Sequence, residues 1–279
     1  RGTMETPAGS VEIQTNEDGL RDKPRGEILS EKKRVLLMGD SFVEGWWASF
    51  EQTPSFYLRS QFPGFYFING GLRSTGPSMQ ATRLKALLPI YRPAAVIWVL
   101  NDTDGFDERL SCALADRVDL PVEARKLSTP EIELADWEKL AIKWTGSEWL
   151  SRRIQLFFYE KRWREIVGSD VSQKCSLCDG VNAFFRIAAE ARVPMFTVYL
   201  DSERMPLLGH YQGGGVLRAG LQDCFHERNL PLRKESLHRI PPGDEAKFFW
   251  KNDFHLNPDG VRFLVRELAG DVRVFLEKL

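Results

Sequence analysis

Arg34-Val-Leu-Leu-Met-Gly-Asp-Ser41 is the stretch from which the fold is read. Residues 34–38 are mostly apolar and typical of a buried parallel strand, which Gly39 ends. A serine placed directly after such a strand lies at a strand-to-helix turn, near the free N–H groups of the next helix. Taken alone, Gly39-Asp40-Ser41 fits equally a serine that only caps the helix, so the motif needs support from the rest of the chain.

Three further apolar runs repeat this arrangement of a strand followed by polar residues. The predicted strands cover 65–68, 94–100 and 194–200, and end at Asn69-Gly70-Gly71, Asn101-Asp102 and Asp201. Helical spacing lies between them, and a terminal helix begins after Asn257-Pro258. The alternation predicts an α/β fold, a three-layer α/β/α sandwich with a central parallel sheet of the flavodoxin-like kind. In such sheets, functional sites form at the carboxyl ends of the strands.

The chain is expected to contain one domain and a tail. Residues 1–30 are polar and are predicted to form an N-terminal arm, with a short strand near Val11–Gln14. Residues 31–279 are predicted to form a single domain that carries a helical insertion at about 103–180. Within this insertion, 130–143 and 149–166 have amphipathic helical spacing, and we interpret the segment as a cap beside the strand ends.

Composition excludes several classes of protein. Lys and Arg number 38 against 39 Asp and Glu, a balance that argues against nucleic acid as the main partner. No apolar run reaches the length of a membrane span, so an anchor is expected only in a segment outside these residues. Four cysteines are too few for a disulfide scaffold, and their spacing is not that of a zinc site. Cys175 and Cys178 are interpreted as a helix-end pair or a local disulfide.

The second candidate motif is Asp253-Phe-His255-Leu-Asn257-Pro258, directly before the terminal helix. A serine nucleophile needs a base with a pKa near 7, and His255 is one of four histidines in the chain. Asp253 could hold one imidazole nitrogen and support the imidazolium. A capped turn with a surface histidine would give the same pattern.

Two further polar segments follow predicted strands. The Asn101 amide could donate to a developing oxyanion, although an Asx turn would also explain an asparagine there. The loop from Asn69 to Ser78 could supply backbone N–H donors, or could be a plain glycine-rich connection. Together the four segments predict that the Ser41 hydroxyl contacts the imidazole of His255.

The order of these motifs resembles the SGNH hydrolase superfamily, also called GDSL esterases and lipases, in its bacterial form. The resemblance implies Ser41 as nucleophile, with His255 and Asp253 completing a triad. It implies an oxyanion hole from the Asn101 amide and the Ser74 N–H, with Gly71 as the second candidate for the latter donor. The sequence departs from the family at three positions, where Ser74 and Val99 replace usual glycines and Asn252 a usual aspartate. The run Asn16–Asp22 is similar to the lead-in of envelope-linked members.

The resemblance implies a serine esterase without metal or organic cofactor. We expect it to remove small acyl groups, such as O-acetyl, from carbohydrate or cell-envelope esters, a choice that rests on the polar surface. An O-acyltransferase would use the same triad, and a non-catalytic binding or assembly module on this fold stays open because of the replaced glycines. The family favours a bacterial periplasm or cell envelope, while a cytoplasmic location is also compatible with the sequence.

Overall fold

The computed structural model describes residues 2–6, 9–31, 33–105, 107–109, 176–201, 214–227, 230, 232–236, 244–250 and 255–279. The predicted cap helices at 130–143 and 149–166 therefore lie outside the described residues. Seven strands are described: β1 Gly2–Thr6, β2 Gly9–Ile13, β3 Arg34–Met38, β4 Tyr66–Asn69, β5 Ala95–Asn101, β6 Met195–Asp201 and β7 Arg233–Ser236. The longer helical elements are α1 Arg25–Ser30, α2 Ser41–Glu44, α3 Pro54–Gln61, α4 Pro77–Tyr91, α5 Leu177–Glu190, α6 Gly214–Glu227, α7 Glu245–Phe248 and α8 Pro258–Leu276.

The central sheet has five strands in the order β4-β3-β5-β6-β7, and all its pairs are parallel. Parallel strands need long crossover connections, which the helices supply. Because all the carboxyl ends of the strands lie at one edge, the polar residues after β3, β4 and β5 meet there. No helix in the described ranges is both long and apolar enough to cross a membrane.

Successive residues of the strands point into two separate apolar layers. Leu36 and Met38 belong to the core that α4, α5 and α6 cover. Val35 and Leu37 belong to the opposite core, which α2, α3 and α8 cover. This period of two on a sheet buried on both faces produces the predicted three-layer sandwich.

The predicted arm has two unlike parts. Strands β1 and β2 pair only with each other among the described strands. Residues 16–30, in contrast, pack into the domain, where Leu20 and Ile28 are fully buried. The packed part of the chain therefore starts before residue 31. The mostly polar composition of this segment gave no indication that its two apolar residues, Leu20 and Ile28, are buried in the domain.

The two ends of the predicted 103–180 insertion contribute to the domain. Asp104 and Asp107 are buried in helical backbone that follows β5. At the other end, Leu177 and Val181 in α5 join the core beneath α4. Ser176 begins α5 by accepting a hydrogen bond from the Cys178 N–H.

One cysteine expectation needs correction. Cys178 forms a disulfide with Cys224, which links α5 to α6. The interpretation of Cys175 and Cys178 as a local disulfide is therefore wrong. Cys178 lies in the first turn of α5, where its side chain faces the neighbouring helix α6. Cys175 itself lies outside the described residues.

Candidate active site

Ser41 and His255, which are 214 positions apart in the chain, meet at the carboxyl edge of the sheet. The Ser41 Oγ atom lies 2.8 Å from the Nε2 atom of His255, and both side chains are buried. Ser41 is the first residue of α2, which follows β3 after a two-residue turn. This distance is within the range of a hydrogen bond through which an imidazole can take a proton from a hydroxyl.

An isolated antiparallel bridge before α8 lies next to the histidine. Phe249 and Leu256 pair as an isolated antiparallel bridge, and the Trp250 N–H donates to the His255 carbonyl. Asn257 then caps α8 by accepting hydrogen bonds from the N–H groups of Asp259 and Gly260. These contacts fix the imidazole at the start of a buried helix. Asp253, the predicted third triad residue, lies outside the described residues.

Asp40 is the buried partner of the predicted oxyanion asparagine. Its Oδ2 accepts from Asn101 Nδ2 at 2.8 Å and from Thr103 Oγ1 at 3.1 Å, while its Oδ1 accepts from the Phe42 N–H at 2.9 Å. Burial is the largest influence and raises the pKa of Asp40, and these hydrogen bonds and His255 oppose that rise. Asp40 is therefore a hydrogen-bonding residue of the turn between β3 and α2.

The orientation of the Asn101 amide follows from its other neighbour. Asn101 Oδ1 accepts from the N–H and the hydroxyl of Thr103, at 2.8 and 2.7 Å. The oxygen is thereby turned toward Thr103 and the nitrogen toward Asp40, which leaves one Nδ2 hydrogen for an additional acceptor. Sequence reasoning did not select Thr103. The signal that could have found it is its position two residues after Asn101.

Ser74 adopts the backbone conformation of a glycine. Its φ of 54° lies in the left-handed region, which matches a family glycine at this place in the loop. No described acceptor is hydrogen bonded to the Ser74 N–H or the Ser41 N–H. The Gly71 N–H instead donates to Asn69 Oδ1 at 3.1 Å, so Gly71 is the weaker candidate for the donor.

Contacts from three segments hold this loop against α2. Asn69 Nδ2 donates to the Glu44 carbonyl, and the Leu72 N–H donates to the Gly39 carbonyl. Asp22, from the lead-in that resembles the family, accepts from the Asn69 N–H at 2.8 Å. The lead-in is therefore part of the frame of the site.

Further buried acids lie behind the site. Asp104 Oδ2 accepts from the Asn101 N–H at 2.6 Å, and its Oδ1 accepts from Gln80 Nε2 at 2.6 Å. Gln80 in turn accepts from the buried Trp98 indole at 2.6 Å. Burial raises the pKa of Asp104 and Asp107 well above the ordinary value, and the neighbouring carboxyl of Asp40 raises both further.

Comparisons with known proteins support the fold. No family model and no curated protein matches the chain. Among solved structures, the chain is similar to the psychrotrophic esterase EstA from Pseudoalteromonas sp., with a TM-score of 0.51 and 13% identity over 88% of this chain and 100% of that one. It is also similar to TesA, with a TM-score of 0.49 and 12% identity over 87% and 99%. A lipase/acylhydrolase from Enterococcus faecalis has a TM-score of 0.42 and 15% identity over 86% and 97%.

The chain thus shares the fold of the esterase EstA, an α/β/α sandwich of the kind that the sequence motifs predicted. On this fold the Ser41 hydroxyl and the His255 imidazole are in contact, and the N–H groups of Ser41 and Ser74 and the Asn101 amide each keep a hydrogen for which no described acceptor is found. Such a set can support attack on a carbonyl carbon and bind the negative charge that develops on its oxygen. In the described ranges, no cluster of three His, Cys, Asp or Glu side chains could hold a metal ion.

Proposed function

We propose that the protein is a serine esterase that hydrolyses small acyl esters, such as O-acetyl groups on carbohydrate or cell-envelope substrates. The observation that carries the proposal is the 2.8 Å contact between Ser41 Oγ and His255 Nε2. The preference for a small acyl group and a polar alcohol rests on the composition of the chain.

In the proposed reaction, His255 takes the Ser41 proton while Oγ forms a bond to the ester carbonyl carbon. The tetrahedral oxyanion accepts hydrogen bonds from the Asn101 amide and from the N–H groups of Ser74 and Ser41. His255 then gives its proton to the leaving alcohol oxygen as the ester C–O bond breaks. Water, deprotonated by His255, releases the acid and restores Ser41. Asp253 is proposed to orient the imidazole through Nδ1.

Replacing the nucleophile tests this proposal directly. Ser41→Ala is expected to lower kcat for para-nitrophenyl acetate by about 10³-fold or more, because no other hydroxyl replaces Oγ. Circular dichroism and the melting temperature should stay close to those of the wild type. Ser60→Ala, which removes an exposed α3 hydroxyl, is the matched control and should keep wild-type turnover. Wild-type turnover in Ser41→Ala would refute the assignment.

A serine-directed fluorophosphonate gives a second test. EstA is described with monoethylphosphonate as its inhibitor, which makes this reagent class a suitable probe. Intact-mass analysis should show one adduct per chain, with the modified peptide containing Ser41. Absence of an adduct in folded protein would favour a non-catalytic module. Product analysis with and without an acceptor alcohol separates the esterase from an O-acyltransferase, which would transfer the acyl group to that alcohol.

We also propose that the protein works outside the cytoplasm, in the bacterial periplasm or envelope. The Cys178–Cys224 disulfide supports this, because such bonds persist in oxidising compartments. Peptide mapping without reduction should recover the two cysteines in one cross-linked pair from protein exported to the periplasm. Recovery of the two thiols in reduced form from that protein would contradict the proposal.

A further inference from the structure

Arg73, the residue before Ser74, presents a partly exposed cation beside the Trp46 ring. Its guanidinium lies over the Trp46 ring, 4.1 Å from the ring centroid, and its side chain is 39% exposed. No described residue accepts a hydrogen bond from that guanidinium; the nearest carboxylate oxygen, Glu44 Oε1, is 3.6 Å away. A guanidinium held on an aromatic ring with unused N–H groups is suited to bind a carboxylate.

The main-chain contacts place this cation next to the catalytic turn. The Trp46 N–H donates to the carbonyl of Ser41 at 3.1 Å. The Arg73 N–H donates to Glu44 Oε2 at 2.7 Å. This hydrogen bond fixes the backbone of the loop from Asn69 to Ser78 one residue before Ser74. Since both ends of the Arg73–Trp46 stack are hydrogen bonded to residues of α2, the partly exposed guanidinium lies close to Ser41.

Glu44 is one carboxylate shared among three arginines. It attracts Arg73, Arg21 and Arg83, and burial lowers the pKa of the latter two while Glu44 opposes that shift. Glu51 also attracts Arg21, and Asp18 also attracts Arg83. Among the described residues, neither of these two acids forms an ion pair with Arg73. Among the described residues, Arg73 therefore shares its counter-ion, Glu44, with two other arginines, and Glu44 also accepts a hydrogen bond from the Arg73 N–H. The guanidinium could still attract the carboxylate of a substrate.

We propose that Arg73 recognises a carboxylate on the substrate, so that the preferred substrates are acyl esters of acidic molecules such as uronic acid sugars. This inference rests on the proposed esterase function and names the chemistry of its substrate. Arg73 acts as a specificity-determining residue, and the stacked Trp46 ring keeps its guanidinium in place. The remaining N–H groups allow a two-point contact with both carboxylate oxygens.

Paired esters that differ in one charge measure this recognition. The first pair is para-acetoxybenzoate and its methyl ester, with the carboxylate on the alcohol side. The second is mono-para-nitrophenyl succinate and its methyl ester, with the carboxylate on the acyl side. The wild type is expected to prefer the charged member of one pair, expressed as the ratio of the two kcat/KM values. Equal or inverse ratios in both pairs would overturn the proposal.

Variants separate recognition from structural support. Arg73→Gln should reduce the wild-type ratio about tenfold, because a charge-assisted hydrogen bond is lost. Arg73→Lys should give an intermediate ratio, since it keeps the charge without the planar pair of donors. Arg266→Gln is the matched control, because Arg266 occupies an exposed position of α8 and also lies over an aromatic ring, that of Phe263. An equal loss on charged and neutral esters in Arg73→Gln would show a purely structural role and refute the proposal.

A binding measurement keeps this result distinct from failure of the esterase proposal. Calorimetric titration of Ser41→Ala with para-acetoxybenzoate should detect binding that the methyl ester lacks and that Arg73→Gln removes. If the wild type hydrolyses none of the esters, the proposed function fails, and this titration still decides the role of Arg73. Absence of binding, or equal binding with and without Arg73, would contradict carboxylate recognition.

Discussion

At the scale of single residues, Asn101 has two hydrogen-bonding tasks for one amide. One Nδ2 hydrogen is donated to Asp40, and we propose that the other binds the oxyanion. Asn101→Ala should therefore lower kcat by about 10²–10³-fold with a smaller change in KM, since the missing donor acts on the transition state. Steady-state kinetics with para-nitrophenyl acetate measure the effect. A loss confined to KM would contradict the role assigned to this amide.

The residues of this site divide into those with a sequence signal and those without one. Ser41, Asn101 and His255 were found because each follows a recognisable strand end or precedes a capped helix. Thr103 and Glu44 could not be found, because their importance comes from contacts with Asn101 and with the loop that carries Arg73. A side chain whose role is to orient another residue leaves no pattern of its own in a single sequence.

At the scale of elements, the close approach of the loop from Asn69 to Ser78 to α2 depends on Gly71. A Cβ atom at Gly71 would overlap the Glu44 N atom and lie 2.7 Å from the Val43 carbonyl carbon. Gly71→Ala should therefore push the loop from α2, lower the free energy of unfolding by about 1–3 kcal/mol and lower kcat. Gly64→Ala is the control, because its Cβ would meet nothing within 4 Å. Thermal melts and kinetics of both variants check this, and equal stabilities would contradict it.

Apolar periodicity predicted strands β3 to β6 within one residue, and it missed the edge strand β7. Strand β3 has the predicted bounds, while β4, β5 and β6 each begin and end one residue later than predicted. Strand β7, Arg233–Ser236, has the sequence Arg-Lys-Glu-Ser, and an edge strand without apolar residues carries no period-two signal. The helical spacing between β3 and β4 does not form one continuous helix, because Gly45 adopts a left-handed conformation with φ 79° and ends α2.

At the scale of the whole molecule, the layered architecture could be predicted and the polar interior could not. The buried chain of hydrogen bonds from Trp98 through Gln80 to Asp104 joins β5, α4 and the helical backbone after β5. These residues are brought together only by packing of the three layers, so sequence spacing gives no indication of them. The disulfide between Cys178 and Cys224 was missed for the same reason, because α5 and α6 become neighbours only in the folded domain.

The stability of the whole domain should respond to pH through its buried acids. Burial raises the pKa of Asp107 well above its unfolded value near 3.8, and no described residue donates a hydrogen bond to its carboxyl. The stability that the protonated carboxyl contributes is present below the unfolded pKa. It is lost as the pH rises from about 4 toward and through the folded pKa, because the charged form is disfavoured in the interior.

Asp107→Asn removes this loss, since the amide resembles the protonated acid and does not ionise. The variant should melt a few degrees above the wild type at pH 8, and the difference should shrink as the pH approaches 4. Asp223→Asn, at an exposed position of α6, should follow the wild-type curve. Thermal melts across this pH range measure the difference. A variant that is less stable than the wild type at pH 8 would show that the Asp107 carboxylate is compensated in the folded protein, and the buried acids would then not limit stability at neutral pH.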